Sequence, residues 1–252
     1  MGADCENITP YGEDGRDKTQ QVQAMFDSIA PAYDWMNRAM TLGLDKLWRR
    51  TAVNILRRSP RPINDILDVA TGTGDLALEM AARLDPNSVV GIDLSEKMLE
   101  IGRRKASASS QGDVVKFETG DCLQLPFPDE SFDAVTVAFG VRNFENLALG
   151  YSEIARVLRP GGIVLVLELS TPTSKIIRPL YDLYAGKVIP SVGKTVSKDS
   201  RAYTYLPESI AAVPQGDEML ALMRGAGLEE TECRRLTFGV CSIYTGRRPS
   251  DQ

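Results

Sequence analysis

ILDVATGTGDLALEMA, residues 66 to 81, passes from one periodicity to another. A short apolar run broken by a single acid, Asp68, has the length of a buried strand. Gly72, Thr73 and Gly74 follow, and from Leu76 the apolar residues return at helical spacing. Strand, glycine turn and helix start make the unit on which nucleotide-like ligands rest. Its glycines permit a tight turn and a close approach of backbone to ligand.

The same alternation continues towards the C-terminus. Strands are expected in NDILDVA (64–70), SVVGIDL (88–94), VVKFETG (114–120), FDAVTVAF (132–139) and IVLVLEL (163–169). Helices are expected between them, one opened by Ser95 as an N-cap. Pro160-Gly161-Gly162 reads as a turn into the fifth strand. Strands alternating with helices imply an α/β domain with a parallel sheet covered on both faces, and such sheets bind ligands at the carboxyl ends of their strands. Before this region, QQVQAMFDSIAPAYDWMNRAM carries helical spacing interrupted by Pro31, which predicts two short helices. DKLWRRTAVNILRR is an amphipathic helix stopped at Ser59-Pro60. After Pro172 an aromatic, apolar insertion breaks the alternation, before a helix in GDEMLALMRGAG and a last strand in TFGVCSIYTGRR. Residues 1–18 are polar and acid-rich and are expected to be a disordered tail. Residues 19–248 form one domain, with N-terminal helices over 19–60 and a lid over 172–206.

Bulk properties narrow the chemistry. The chain has 252 residues and a formal net charge of −5, which argues against nucleic acid as a partner. There is no histidine, so the most common general base and zinc ligand is missing, and no metal is expected. The four cysteines contain no C-x-x-C pair and read as reduced, structural thiols. No signal-peptide pattern and no membrane-spanning run is found, so the expected location is cytoplasmic.

Gly72-x-Gly74-x-x-Ala77 matches the dinucleotide fingerprint, and Asp93 lies nineteen residues beyond Gly74, where an acid accepts hydrogen bonds from an adenosine ribose. NAD and S-adenosyl-L-methionine share that ribose, and these two signals do not separate them. Three features favour the methyl donor. Asp68 would repel a pyrophosphate but suits a ligand with ammonium and sulfonium charges. Asp121, at the end of the third strand, can accept from an adenine amino group. No oxidoreductase catalytic set, such as Tyr-x-x-x-Lys after the fourth or fifth strand, is present.

MFDSIAPAYDWMNRAMTLGLDKLWRR, LPFPDESFDAVTVAFGVRNF, VLRPGG, VLELSTP, YDLYAGKVIPSVGK and YTYLPESI then carry a specific resemblance. Together with LDVATGTGDLAL they resemble the ubiquinone/menaquinone biosynthesis C-methyltransferase family, over nearly the whole chain. The resemblance implies a Rossmann-like class I methyltransferase: a mostly parallel seven-stranded sheet with an antiparallel last strand, extra N-terminal helices and a helical lid. S-adenosyl-L-methionine is the implied cofactor, and its implied contacts fall on Thr73, Asp93, Asp121, Cys122 and Ala138. Tyr33, Asp68, Gly72, Gly74 and Leu94 complete the expected cofactor set. Relatives often carry Asn-Ala where this chain has Asp121-Cys122, Ser at Ala138 and Gly at Thr71; Asp121 keeps the adenine acceptor.

The implied reaction is C-methylation of a polyprenylated quinol, most simply demethylmenaquinol, with the benzoquinol of ubiquinone synthesis as the alternative. A catalytically inactive binding module is the reading from another class. Arg142 and Asn143, in AFGVRNF after the fourth strand, are the expected catalytic pair, Arg142 holding a phenolate and Asn143 orienting water or the second hydroxyl; the alternative for Arg142 is a pair with a nearby acid such as Glu168 that braces the loop. Tyr181, Tyr184 and Tyr203 are expected to wall the substrate pocket. Lys46, Arg49, Arg50, Arg57, Arg58 and Arg61 lie in a stretch without acids, expected to touch anionic membrane headgroups peripherally. A homodimer is compatible with these features.

Overall fold

The computed structural model describes residues 4–188 and 201–250, without the side chains of Asp4, Lys187, Val188, Ala202 and Tyr203. The N-terminal region folds as α1 (Lys18–Ile29), a short 3-10 turn (Ala30–Ala32), α2 (Tyr33–Met40) and α3 (Leu44–Leu56). Pro31 lies in that turn and breaks the helix as its missing N–H requires. The alternating part follows: β1 (Asp65–Val69), α4 (Asp75–Leu84), β2 (Ser88–Asp93), α5 (Glu96–Ser107), β3 (Val115–Thr119), β4 (Phe132–Ala138), α6 (Leu147–Val157) and β5 (Leu158–Leu169). Then come α7 (Ile177–Leu183), a π-helical turn (Tyr184–Val188), α8 (Arg201–Ala212), α9 (Asp217–Gly225), β6 (Glu229–Leu236) and β7 (Cys241–Arg247).

The strands form one seven-stranded sheet in the order β3-β2-β1-β4-β5-β7-β6. All pairs from β3 to β5 are parallel, and β7 runs antiparallel to both β5 and β6. The order reverses between β1 and β4, so a crevice opens at the carboxyl ends of those two strands. Ile66, Leu67, Val69, Val135 and Val137 are fully buried and fill the two apolar layers on either side of the sheet.

Three sequence expectations are corrected. Pro160-Gly161-Gly162 is no separate turn: β5 starts at Leu158 and carries an irregularity there, with Gly161 at φ +76°. The resemblance implies seven strands, but the residues of β6 do not read as one of them. β6 is an edge strand whose residues are mostly exposed, so it has no apolar alternation to read. Residues 5–11 pack against the domain rather than trailing from it, while residues 12–17 are exposed. Cys5 is fully buried, Glu6 Oε1 accepts from Leu147 N at the start of α6, and Tyr11 N donates to Gln21 Oε1. The polar composition of this segment reflects capping and cross-bracing. Among the described residues, no helix is long and apolar enough to cross a membrane.

Candidate active site

The glycine turn is fastened from two sides. Thr71 N donates to Ile92 O at 2.9 Å, and Gly72 N donates to Asp93 Oδ2 at 2.8 Å, tying the end of β1 to the end of β2. The other carboxylate oxygen of Asp93 accepts from Ser95 N at 2.9 Å. Each oxygen keeps a lone pair for a further donor. Burial pushes the Asp93 pKa up, against the backbone donors that hold it down. Gly74 stands at φ +78° and opens α4, and a Cβ there would run into the Phe117 ring.

Tyr33, Gly72, Asp93, Leu94, Asp121, Cys122 and Ala138 line one cleft. Asp121 Oδ1 accepts from Leu123 N, and Leu94 O accepts from Gln23 Nε2. Asp68 and Thr73 line a smaller recess that adjoins this cleft through Tyr33, Gly72 and Ala138. Asp68 is buried and accepts from Thr71 Oγ1 at 2.7 Å and Thr136 Oγ1 at 2.5 Å. Desolvation nevertheless raises its pKa to about 6. Gly74 lines neither space; its part is to turn the chain into α4.

A larger apolar cavity of about 410 Å³ lies beyond, walled by α2, α3, α7 and α8. It shares only Tyr33 and Phe139 with the cofactor cleft. Tyr181 and Tyr184 line it, and the Tyr184 hydroxyl donates to Met40 O. The Tyr203 side chain lies outside the described residues. A third, narrow space between cleft and cavity is lined by Tyr33, Arg142, Asn143 and Tyr205. Arg142 also faces the large cavity, and Asn143 also faces the cofactor cleft.

Arg142 and Asn143 form a 3-10 turn with Val141. Arg142 Nη1 is paired with Glu168 Oε1 at 2.8 Å and also donates to Phe139 O. Arg142 N donates to Glu168 Oε2. Arg142 Nε is buried without a partner among the described residues. Asn143 Oδ1 accepts from the Tyr205 hydroxyl at 3.0 Å. The ammonium of Lys18, buried at the head of α1, donates to the carbonyls of Cys5, Arg142 and Phe144 and so pins this turn.

Several site residues escaped sequence reading. Phe139, at φ +57°, and Ala70, at φ +52°, adopt left-handed backbone at the ends of β4 and β1. That conformation is costly for residues with a Cβ, and it occurs here where both residues line the cleft. An aromatic residue directly after a strand end was the available signal for Phe139. A chain of charges closes α2 and α3 over the glycine turn. Thr73 Oγ1 donates to Asp34 Oδ1, Lys105 bridges Asp34 and Asp75, and Arg49 bridges Asp75 and Asp45. Arg49 is therefore buried inside the protein. Arg61 is also engaged, with Pro160 O at the amino end of β5. Lys46, Arg50, Arg57 and Arg58 of the basic stretch 46–61 are exposed.

The mostly parallel sheet with β7 reversed, and a ligand crevice at its switch point, is the architecture of class I methyltransferases. A solved S-adenosylmethionine-dependent methyltransferase from Thermotoga maritima superposes with a TM-score of 0.60 at 18% identity, over 89% of this chain and 100% of that one. The model of the ubiE/COQ5 methyltransferase family matches residues 15–248, and the chain belongs to that family; it is a methyltransferase. Demethylmenaquinone methyltransferase of Bacteroides fragilis is 46% identical over 96% of this chain and 98% of its own length. Ubiquinone/menaquinone biosynthesis C-methyltransferase UbiE of Geotalea daltonii is 45% identical over 92% and 98%.

Proposed function

We propose that this enzyme transfers a methyl group from S-adenosyl-L-methionine to a ring carbon of a polyprenylated quinol, converting demethylmenaquinol to menaquinol. The observation that carries this reading is the meeting of two unlike spaces at Tyr33 and Phe139: a cleft edged by carboxylates and an apolar cavity walled by tyrosines. The names of the relatives from Bacteroides fragilis and Geotalea daltonii support the quinol.

The residues of the cleft fit the cofactor. Asp93 has lone pairs left for ribose hydroxyls, Asp121 has an acceptor for an adenine amino group, and Asp68 offers a carboxylate to cationic groups in the adjoining recess. The bound cofactor supplies a methyl group already activated on a sulfonium. The protein's task is to align a ring carbon, exclude water and help a phenolic proton leave. Arg142 cannot act as a base at neutral pH. Its charge is partly balanced by Glu168, but the buried Nε, without a partner among the described residues, donates to a phenol oxygen placed in the cavity, lowers its pKa and holds the phenolate, while water carries the proton away. Asn143, oriented by Tyr205, holds that water or the second hydroxyl.

Isothermal titration with S-adenosyl-L-methionine, then turnover on soluble short-chain naphthoquinol and benzoquinol, tests the reading. Binding followed by naphthoquinol methylation is expected. Preference for the benzoquinol would reassign the substrate, and binding without turnover of either would leave a cofactor-binding module. Mass spectrometry of host quinones after gene deletion gives a second test, because the accumulating precursor identifies the substrate.

A further inference from the structure

The mouth of the large cavity is unusually apolar. Leu42 and Leu180 line the cavity and are still 80% and 67% exposed. Leu42 is also held at φ +53°, in the turn between α2 and α3. A leucine in left-handed backbone, turned out to water, is unfavourable on two counts, and folding explains neither. On α7 the inner positions Ile177 and Tyr181 face the cavity. Ile176, Leu180 and Leu183 fall on one adjacent stripe, given about 3.6 residues per turn. Ile176 is 85% and Leu183 51% exposed. The far side of α7 carries the Arg178–Asp182 ion pair. The helix is thus apolar both inward and along the rim, and polar only on its back.

Charge follows the same plan. Every acid on α2, α3 and α7 is already paired: Asp34 with Lys105, Asp45 with Arg49, and Asp182 with Arg178. Arg38, Lys46 and Lys175 are exposed on or beside these elements. Exposed leucine and isoleucine thus occur with exposed basic residues on or beside the same elements, the pattern of a surface that sinks into the headgroup boundary of an anionic bilayer.

We infer that this rim, formed by the α2–α3 turn and the outer stripe of α7, is the membrane-docking face, and that it delivers the cavity mouth directly to the acyl-chain region. The inference rests on the quinol reading. A cavity of about 410 Å³ is at the small end of the range for small-molecule sites, roughly 300–1,000 Å³. It takes the ring and the first part of a prenyl tail, and the rest of a long tail must leave through the mouth into an apolar medium.

The test sediments the full chain with quinol-free vesicles of phosphatidylcholine, alone or mixed with phosphatidylglycerol. It is run beside the double variant Ile176→Ser with Leu183→Ser, whose altered side chains do not line the cavity. The wild type should partition onto the anionic vesicles and the variant about tenfold less. Turnover of a soluble short-chain quinol should be unchanged, while turnover of a long-chain quinol carried in the vesicles falls with the binding. A wild type left in the supernatant, or a variant that binds as well, overturns the inference. So does a wild-type dimer that the variant converts to monomer without any vesicle binding, since a second copy would then cover the rim. Vesicle binding without turnover of either quinol keeps the docking face and removes the quinol substrate. Short-chain turnover without vesicle binding does the reverse.

Discussion

Asp68 shows how one side chain can oppose the fold it belongs to. It is buried, and its pKa rises to about 6 because two threonine hydroxyls offset only part of its desolvation. An acid whose folded pKa lies above its unfolded value binds its proton more tightly in the folded state, so its contribution to stability grows as pH falls through that window. At pH 7 the ionised form costs on the order of 3 kcal/mol. Asp68→Asn should therefore be the more stable protein at pH 7, and the advantage should fade between about pH 6 and pH 4; urea unfolding across that range measures it. The same variant should bind S-adenosyl-L-methionine more weakly. Arg142 is the opposite case. Arg142→Ala would leave Glu168 buried and unpaired, at a cost of about 3–5 kcal/mol. Adding Glu168→Gln should restore the fold but not the activity. Turnover in the folded double variant should stay roughly a hundredfold down, with unchanged cofactor affinity, and the deficit should shrink towards the quinol's own pKa. Near-normal kcat would take Arg142 out of the chemistry. Asp93→Ala should raise the cofactor Kd at least about tenfold, since hydrogen bonds to a charged acceptor are worth about 1.5–3 kcal/mol each. It should also slacken the glycine turn, because Gly72 N loses its acceptor; titration calorimetry checks the first effect and amide exchange at Gly72 the second.

At the scale of elements, legibility followed burial. β1, β2 and β4 lie inside the sheet, so their side chains record the core, and the strand-end acid Asp93 could be placed from them; Asp121 follows β3, an edge strand in which buried Val115 and Phe117 still alternate with exposed residues. β6 is an exposed edge, and its EETECRRL carries no such record. The N-terminal segment is hard to read for a related reason: it is held by a buried Cys5, by local contacts with Gln21 and by polar contacts with residues more than a hundred positions away, which composition cannot express. Lys18 is the clearest of these. Its ammonium satisfies three carbonyls drawn from the N-terminal segment and from the turn that carries Arg142 and Asn143. Lys18→Met should leave those carbonyls without a donor and lower stability by about 1–3 kcal/mol or more. It should also reduce kcat on a soluble quinol while leaving the cofactor Kd nearly unchanged. Normal kcat in a destabilised variant would make the contact purely structural. The basic stretch on α3 was visible as composition. Its division between a buried bridge at Arg49 and a brace at Arg61 depends on where α4 and β5 pack, and that is tertiary information.

For the whole molecule, the arrangement of spaces has a consequence for traffic. The cofactor cleft and the apolar cavity have only Tyr33 and Phe139 in common. Each has its own set of walls, one built largely from α1 and the strand ends, the other from α2, α3, α7 and α8. Neither reactant stands in the other's doorway. Binding should then be random rather than ordered: the methylated product should inhibit competitively against the quinol, whereas obligatory binding of the cofactor first would make it non-competitive against both substrates, and initial-rate inhibition patterns would display this. A strictly ordered pattern would mean that filling one space reshapes the other. Under random traffic a methylated product can slip back along its own path while the spent cofactor is still in place, and the enzyme can exchange one reactant for the next without ever being empty.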